Sequence, residues 1–224
     1  MMTDVARQNA TPHQTGTILH WAFGYDLLVG LLSLGRERTY RENTVKLAKL
    51  KTGESVLDIG CGTGTLAIAA KRQVGPTGRV YGIDASPEMI DRARKKAKKG
   101  QLDITFENVF VQELPFPDST FDAVLSVTML HHLSREARRQ CLREVRRVLK
   151  PGGRLLAIDF GGPVGNRHSW ISRFHRHGKI DLNQMVPVLN EVGLHSVESG
   201  TLERNFGPLS DLHFILAVAS EQTT

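Results

Sequence analysis

From residue 55 onward, short apolar runs alternate with longer stretches of helical spacing. Residues 55–60, 79–84, 102–111, 121–128 and 154–160 are runs of strand length bounded by turn residues, the pattern of strands buried on both faces. Between them, 65–74, 86–99 and 133–150 repeat apolar residues at helical intervals, which predicts helices with one buried stripe. Ser86 followed by Pro87 is an N-cap with proline in the first turn. Gly75-Pro76, Gly100 and Pro151-Gly152-Gly153 supply the stops. After a polar, histidine-rich stretch, a helix is predicted over 182–192 and two further strands near 195–202 and 212–219. Seven strands alternating with helices define an α/β fold, in which right-handed crossovers give a doubly wound, mostly parallel sheet with helices on both faces. Ligands of such sheets sit beyond the carboxyl ends of the strands, so the loops leaving the strands are where function is sought.

Residues 1–17 are polar, with no basic stretch leading into an apolar one, and are expected to be a flexible segment rather than a targeting signal. Residues 18–34 are the most apolar run in the chain. At 17 residues the run is at the lower edge for a membrane span, and His20, Asp26 and Ser33 interrupt it. An aspartate in mid-membrane is costly, so a helix packed over the protein or lying at a membrane surface is expected instead. The length of 224 residues suits one domain with an elaboration. Two cysteines, Cys61 and Cys141, make no disulfide framework and point to a reducing compartment, the cytoplasm.

Charge changes the picture more. A net charge of +6 and a pI near 9.5 invite nucleic acid, an anionic membrane or an acidic substrate. The excess is concentrated in residues 91–99 and 135–154, on two predicted helices. Their inward stripes are Met89, Ile90, Ala93 and Ala97 in one and Ala137, Cys141, Val145, Val148 and Leu149 in the other. Helices that follow the second and fourth strands cover opposite faces of the sheet. The charge is therefore expected to be split between two solvated surfaces, away from the strand ends, and no specific nucleic acid is expected as a partner.

The loop after the first strand reads Asp58-Ile59-Gly60-Cys61-Gly62-Thr63-Gly64. Alternate glycines remove side chains at a sharp turn and let a ligand approach the backbone. The spacing is Gly-x-Gly-x-Gly, not the dinucleotide Gly-x-Gly-x-x-Gly. Asp58, two places before the first glycine, is awkward beside a pyrophosphate and suits a ligand carrying a positive group. Asp84 ends the second strand, where a carboxylate can accept both ribose hydroxyls of an adenosine. Each aspartate alone is also an N-cap or a solvated loop residue; the pair at adjacent strand ends is specific.

Three segments, Val56-Leu-Asp-Ile-Gly-Cys-Gly-Thr-Gly64, Tyr81-Gly-Ile-Asp-Ala-Ser86 and Leu149-Lys-Pro-Gly-Gly-Arg-Leu155, resemble motifs of the class I S-adenosylmethionine-dependent methyltransferases, in order. Leu114-Pro-Phe-Pro-Asp-Ser-Thr-Phe-Asp122 and Leu130-His-His-Leu133 are similar to the ubiquinone/menaquinone-biosynthesis (type 11) branch, as are Tyr25-Asp26 and the arginines at 36, 38 and 41. The resemblance implies a Rossmann-like domain over 51–220, a helical lid or substrate region over 18–50, S-adenosyl-L-methionine as cofactor and S-adenosyl-L-homocysteine as product. It implies that Gly60, Cys61, Gly62, Thr63 and Gly64 pass under the methionine part. Asp58 would sit at its amino end, Asp84 on the ribose, Ala85 and Met89 against adenine, the Ser126 backbone beside the methionine moiety, and Tyr25 over it. One departure stands out: the branch has Gly-Asp-Ala where this chain has Val109-Phe110-Val111. Losing that aspartate's bond to the adenine amino group costs about 1.5–3 kcal/mol, unless the Val111 amide or Gln112 replaces it.

Methyl transfer needs acceptor and methyl carbon held in line, and an oxygen or carbon acceptor also needs a base. His20, His131, His132 and Asp159 are the candidates; for the paired histidines, capping or packing against the long helix is the alternative. The spacings of His168, His175 and His177 do not make a ligand set, so no metal is expected. No base beside Cys61 marks it as a nucleophile. The resemblance implies methyl transfer to a small-molecule or lipid-like acceptor. Peripheral membrane contact through the N-terminal helix stays open, as does the oligomeric state. Two alternatives are a nucleic-acid methyltransferase and a non-catalytic cofactor-binding module. Against the first, Ser126-Val-Thr-Met129 stands where base-amine methyltransferases carry an Asn/Asp-Pro-Pro-aromatic loop. The stretch between Phe160 and Leu182 is shorter than the quinone branch's usual insertion, which argues against a polyprenyl-quinone acceptor.

Overall fold

The computed structural model describes residues 37–160, 185–202 and 212–220. The expected segment 1–17, residues 18–36 of the expected region 18–50, and His168, His175 and His177 lie outside the described residues. Seven strands form one sheet in the order β3-β2-β1-β4-β5-β7-β6. They are β1 (Ser55–Ile59), β2 (Arg79–Asp84), β3 (Thr105–Asn108), β4 (Phe121–Val127), β5 (Leu149–Phe160), β6 (Leu194–Thr201) and β7 (Leu212–Ala219). Strands β1 to β5 are parallel, and β7 runs antiparallel between β5 and β6. The chain order reverses at β1, with β2 on one side and β4 on the other, which creates the crevice where such sheets bind ligands.

The helices are α1 (Glu37–Leu47), α2 (Thr65–Val74), α3 (Pro87–Lys99), α4 (Arg135–Val148) and α5 (Val186–Glu191). Strand alternation divides the core into two layers. Val56, Val80, Ala123 and Leu156 meet Val45 of α1 and Ala48 just after it, Leu66 and Ala70 of α2, and Ile90 and Ala93 of α3. Leu57, Ile83, Val124 and Leu155 meet Ala137, Cys141, Leu142 and Val145 of α4 and Leu189 of α5. The two cationic helices α3 and α4 thus cover opposite faces, as their stripes predict. Residues 37–50 are docked on the core: Val45 of α1, and Ala48 and Leu50 where the chain leaves it, are buried.

Three boundaries differ from the sequence pattern. β3 is confined to Thr105–Asn108, because the Val109 N–H turns to the Asp84 carbonyl and a turn closes from Phe110 to Glu113. A 3-10 turn at Leu130–His132 precedes α4, whose cap is Ser134, its hydroxyl accepting the Ala137 N–H at 3.2 Å. α4 stops at Val148 because Leu149 is already extended and pairs with Phe121, so β5 begins ahead of Pro151 and its glycines. Among the described residues, no helix is long and apolar enough to cross a membrane.

Arg154, at the start of the buried part of β5, locks the N-terminal helix to the sheet. Its Nε donates to the Ala48 carbonyl at 2.6 Å, its Nη2 to the Lys49 carbonyl at 2.8 Å, and both Nη atoms grip the Glu54 carboxylate. The two side chains are each 13% exposed. A bidentate, half-desolvated pair of this kind leaves an uncompensated carboxylate when one partner is removed. Arg154→Ala is expected to cost about 2–4 kcal/mol in urea denaturation, whereas Lys49→Ala, in an exposed pair with Glu198, should cost under about 1 kcal/mol.

Candidate active site

The glycine loop leaves β1 at the chain-order reversal. Gly62 has φ +52 and a Cβ built there would meet nothing within 4 Å, so this backbone lies open to the crevice. The other two glycines are packing sites. A Cβ on Gly60 would overlap the Met129 side chain, and one on Gly64 would come within 2.8 Å of Ala93 and 2.9 Å of Phe106. The loop is also pinned by Lys96 of α3, which donates to the Thr63 hydroxyl at 2.7 Å, while Arg94 ties α3 to β3 through the Phe106 carbonyl at 2.7 Å. Thr63 is thereby turned toward α3, with its side chain buried. Cys61 is buried, and burial together with the charges of Asp58 and Asp84 pushes its thiol well above its ordinary pKa, which leaves no thiolate for chemistry.

Asp84 accepts the Gly62 N–H on one oxygen and the Ser86 N–H on the other, both at 2.9 Å. Burial raises its pKa, and the two amides oppose that shift. Two oxygens offer about four acceptor positions, so a vicinal diol can still be received. Ala85 is half-buried and Met89 buried at the start of α3. Phe110 and Val111 begin the turn after β3, Phe110 exposed and Val111 buried.

Asp58 is of another kind. Its carboxylate accepts the Ala67 N–H, yet Oδ2 is buried without a hydrogen-bond partner among the described residues. Burial pushes its pKa up to about 7, opposed chiefly by the Arg41 charge on α1. Arg41 also borders a cavity of about 540 Å³ between α1 and α2. Ser126 Oγ, beside Ile59 on β4, is likewise buried and without a partner among the described residues. An ammonium or ammonium–carboxylate ligand fits a buried, incompletely bonded carboxylate with a guanidinium nearby. Asp58 and Ser126 thus leave two buried polar atoms without a hydrogen-bond partner among the described residues at the ends of neighbouring strands.

Past β4, the backbone N–H of His131 reaches Asp159 Oδ2 at 3.1 Å, and its ring Nδ1 lies 2.7 Å from Asp159 Oδ1. Both side chains are buried. The His132 ring is half-buried and packs on that of His131 with centroids 3.9 Å apart. Arg138 of α4 holds the turn, donating to the carbonyls of Leu130 at 3.2 Å and Leu133 at 3.0 Å, and interacts electrostatically with Asp159. Asp159 at the end of β5 therefore fixes ring and backbone of His131 together. His20 and Tyr25 lie outside the described residues. Sequence reasoning missed Arg41 as the neighbour of Asp58, Met129 as the cover of Gly60, and Arg138 as the clamp of the histidine turn. Arg41 stands four residues before the buried Val45, the one hint that it turns inward. Among the described residues no cluster of metal-ligating side chains occurs.

A glycine loop open at one residue, flanked by carboxylates at two adjacent strand ends, defines an adenosine-cofactor site in a doubly wound sheet. A methyltransferase-domain model matches residues 56–153. The 2-phytyl-1,4-naphtoquinone methyltransferase of Nostoc punctiforme is 36% identical over 172 residues, 76% of this chain and 72% of that protein. A ubiquinone/menaquinone biosynthesis C-methyltransferase of Pseudomonas fluorescens is 38% identical over 144 residues, 62% of this chain and 55% of that protein. The chain thus spans little more than half the length of the latter. Among solved structures, a SAM-dependent methyltransferase from Aquifex aeolicus shares the fold, with a TM-score of 0.70 at 24% identity over 86% of this chain and 97% of that one. This chain belongs to the class I S-adenosylmethionine-dependent methyltransferases and is similar to their quinone-biosynthesis branch.

The buried carboxyl of Asp58 yields a stability prediction. In the free protein it keeps its proton to about pH 7, whereas an unfolded chain loses it near pH 3.8. Folding takes up a proton between those values, so this group destabilises the free protein increasingly as pH rises through that window. Asp58→Asn is expected to raise the Tm of the free protein at pH 8 by several degrees, with the gain vanishing below about pH 4. The same variant should weaken S-adenosylmethionine binding. Thermal melts across this pH range check the sign, and a lowered Tm at pH 8 contradicts it.

Proposed function

We propose that the protein methylates a quinol-like, lipid-like acceptor from S-adenosyl-L-methionine, with His131 as the base and Asp159 positioning it. The observation that carries the reading is the pairing of an open Gly62 backbone with two strand-end carboxylates in different states. Asp84 is engaged with amides and suits a diol, while Asp58 retains a buried oxygen without a partner among the described residues, which suits an ammonium. S-adenosyl-L-methionine supplies an electrophilic methyl group on a sulfonium and leaves as S-adenosyl-L-homocysteine. Gly62 admits its chain, and Ser126 and Met129 border the methyl end. Ala85, Met89, Phe110 and Val111 border the base. The relatives are named as a 2-phytyl-1,4-naphtoquinone methyltransferase and a ubiquinone/menaquinone biosynthesis C-methyltransferase, which supports a quinol ring as acceptor, while the short stretch between Phe160 and Leu182 argues for a short side chain on it rather than a polyprenyl one.

The His131–Asp159 pair suits such an acceptor. With Nδ1–H held by the Asp159 carboxylate, the lone pair is on Nε2, the tautomer that takes a proton from a hydroxyl. Withdrawing that proton would place negative charge on the ring of a hydroquinone; a ring carbon would then bond to the methyl carbon as its bond to sulfur breaks, with S-adenosyl-L-homocysteine as leaving group, and loss of that ring carbon's own hydrogen as a proton to solvent would restore the aromatic quinol. Asp159 stabilises the imidazolium so formed. The two free, buried thiols Cys61 and Cys141 suit the cytoplasm.

The test incubates the protein with methyl-labelled S-adenosyl-L-methionine and a short-chain 2-prenyl-1,4-naphthohydroquinone, followed by mass analysis. A ring-methylated product is expected. Asp84→Ala should weaken S-adenosyl-L-homocysteine binding about 10- to 100-fold. His131→Ala should lower kcat about 10²- to 10⁴-fold while leaving that affinity within about twofold. Asp159→Asn should lower kcat and alter the acid limb of its pH profile. Cofactor binding without methylation of any quinol overturns the acceptor; an unaltered rate in His131→Ala overturns the base.

A further inference from the structure

Strands β5 and β7 run antiparallel, so the start of β7 stands at the same end of the sheet as the carboxyl ends of the parallel strands. Alternate residues of both strands face α4 and α5: Leu155, Ala157, Ile215 and Ala217 lie in that core layer. The same alternation brings Asp159 and His213 to the edge of the layer. They are directly opposite one another in register, with Thr201 of β6 next along the row. Directly opposed residues of an antiparallel pair have Cβ atoms about 5 Å apart. His131 approaches Asp159 from the β4 side, its ring Nδ1 at 2.7 Å, and His213 stands on the β7 side. One carboxylate is thus flanked by two imidazoles.

The two imidazoles are held differently. His131 is buried and bound to Asp159 through both ring and backbone. His213 is half-buried, and its ring makes no hydrogen bond or ion pair among the described residues. The turn that carries His131 is built against a local preference: Thr128, the residue after β4, has φ +52, a left-handed conformation that β-branched residues rarely adopt. Its N–H donates to the Ile158 carbonyl at 2.7 Å, which fixes this residue to the strand bearing Asp159. Such strain persists where the surrounding structure over-determines it, and it clusters at ligand sites. An imidazole carries a donor and an acceptor, so His213 offers a polar partner at the strand ends beside the His131–Asp159 pair. A hydroquinone has a hydroxyl at each end of a flat ring, and one base can serve only one of them.

We propose that His213 is a specificity-determining residue of the acceptor site: its ring hydrogen-bonds the second hydroxyl of a 1,4-diol whose first hydroxyl meets His131. The protein thereby prefers para-diols to rings with a single hydroxyl. The proposal rests on the acceptor reading above and adds to it the group that selects a diol. An acceptor lacking the second hydroxyl covers His213 with apolar surface and leaves its ring unpaired, which weakens binding.

The test is calorimetric titration, under nitrogen, of the full chain saturated with S-adenosyl-L-homocysteine, which has no methyl group to transfer, so binding is read without turnover. The ligands are a short-chain 2-prenyl-1,4-naphthohydroquinone and the matching 3-prenyl-1-naphthol, which keeps the hydroxyl beside the carbon to be methylated and lacks the other. Wild type is expected to bind the diol about 5- to 150-fold more tightly, the cost of leaving one buried polar group unpaired. His213→Ala should weaken the diol toward the naphthol, bringing the two within about twofold while the naphthol's own affinity stays within about twofold of wild type. His213→Gln, which keeps a donor and an acceptor, should restore a preference for the diol of at least about threefold. Equal binding of diol and naphthol by wild type overturns the proposal, as does full discrimination in His213→Ala with an unaltered Tm. Failure of the folded wild type to bind either ligand overturns the quinol acceptor itself, and this proposal with it, a result distinct from equal binding of both.

Discussion

The Asp84 carboxylate receives two backbone N–H groups, from Gly62 and from Ser86, while its own carbonyl receives the Val109 N–H and the Asn108 side chain. Three consecutive strand ends, those of β1, β2 and β3, therefore converge on one residue. The position of the open Gly62 backbone, the start of α3 and the turn carrying Phe110 all depend on this knot. Charge-assisted hydrogen bonds in a half-buried setting are stronger than exposed ones, and they polarise one another. That is why a loop rich in glycine, the residue with most conformational freedom to lose, holds a defined shape before any ligand arrives.

The positive charge acts through the same knot and its neighbours. Lys96 and Arg94 of α3 hold Thr63 and the backbone of Phe106. On the other face, Arg138 holds the turn of His131, and Arg146 the Ser220 carbonyl. Arg147 binds Glu144 and Asp118 and donates to the carbonyls of Leu114 and Phe116. Phe116 in turn meets Tyr81 and Phe121 edge to face at 5.4 and 5.0 Å. The split of the cations between two faces follows from the helix stripes, but their description as solvated charge is incomplete. Several are fasteners whose guanidinium forks match carbonyl and carboxylate geometry.

Much of this was legible in the chain. Period, caps and glycine spacing act within ten or fifteen residues, so β1, β2, α3 and the glycine loop follow from local pattern, and Asp84 is recognisable because it ends a strand next to that loop. The 3-10 turn and the early end of α4 were not, because Leu149 is apolar and fits either a helix stripe or a strand. Its pairing with Phe121 decides the matter, and pairing is a property of the sheet. The partners of the site were hidden for the same reason. Asp159 lies 28 positions from His131, and the pair meets only because β4 and β5 are neighbours. The role of Gly60 was half legible: the absence of a side chain is visible in the sequence, whereas Met129 as its occupant is not.

Three acids stand at the carboxyl ends of β1, β2 and β5, and the sheet treats each differently. Asp84 is engaged by amides, which neutralise much of the cost of its burial and make it a fixed element of the scaffold. Asp159 is engaged by the imidazole and the amide of His131, whose ring it orients, with Arg138 nearby. Asp58 alone keeps a buried oxygen without a partner among the described residues, at a raised pKa. Burying an incompletely bonded carboxylate opposes folding, and a chain selected for stability alone has an amide or an apolar residue available at such a position. The unmet bond is the one that the ammonium of the proposed cofactor placement would satisfy. The carboxyl ends of the strands thus divide their acids into one that shapes the loop, one that orients His131 and one left incompletely bonded among the described residues.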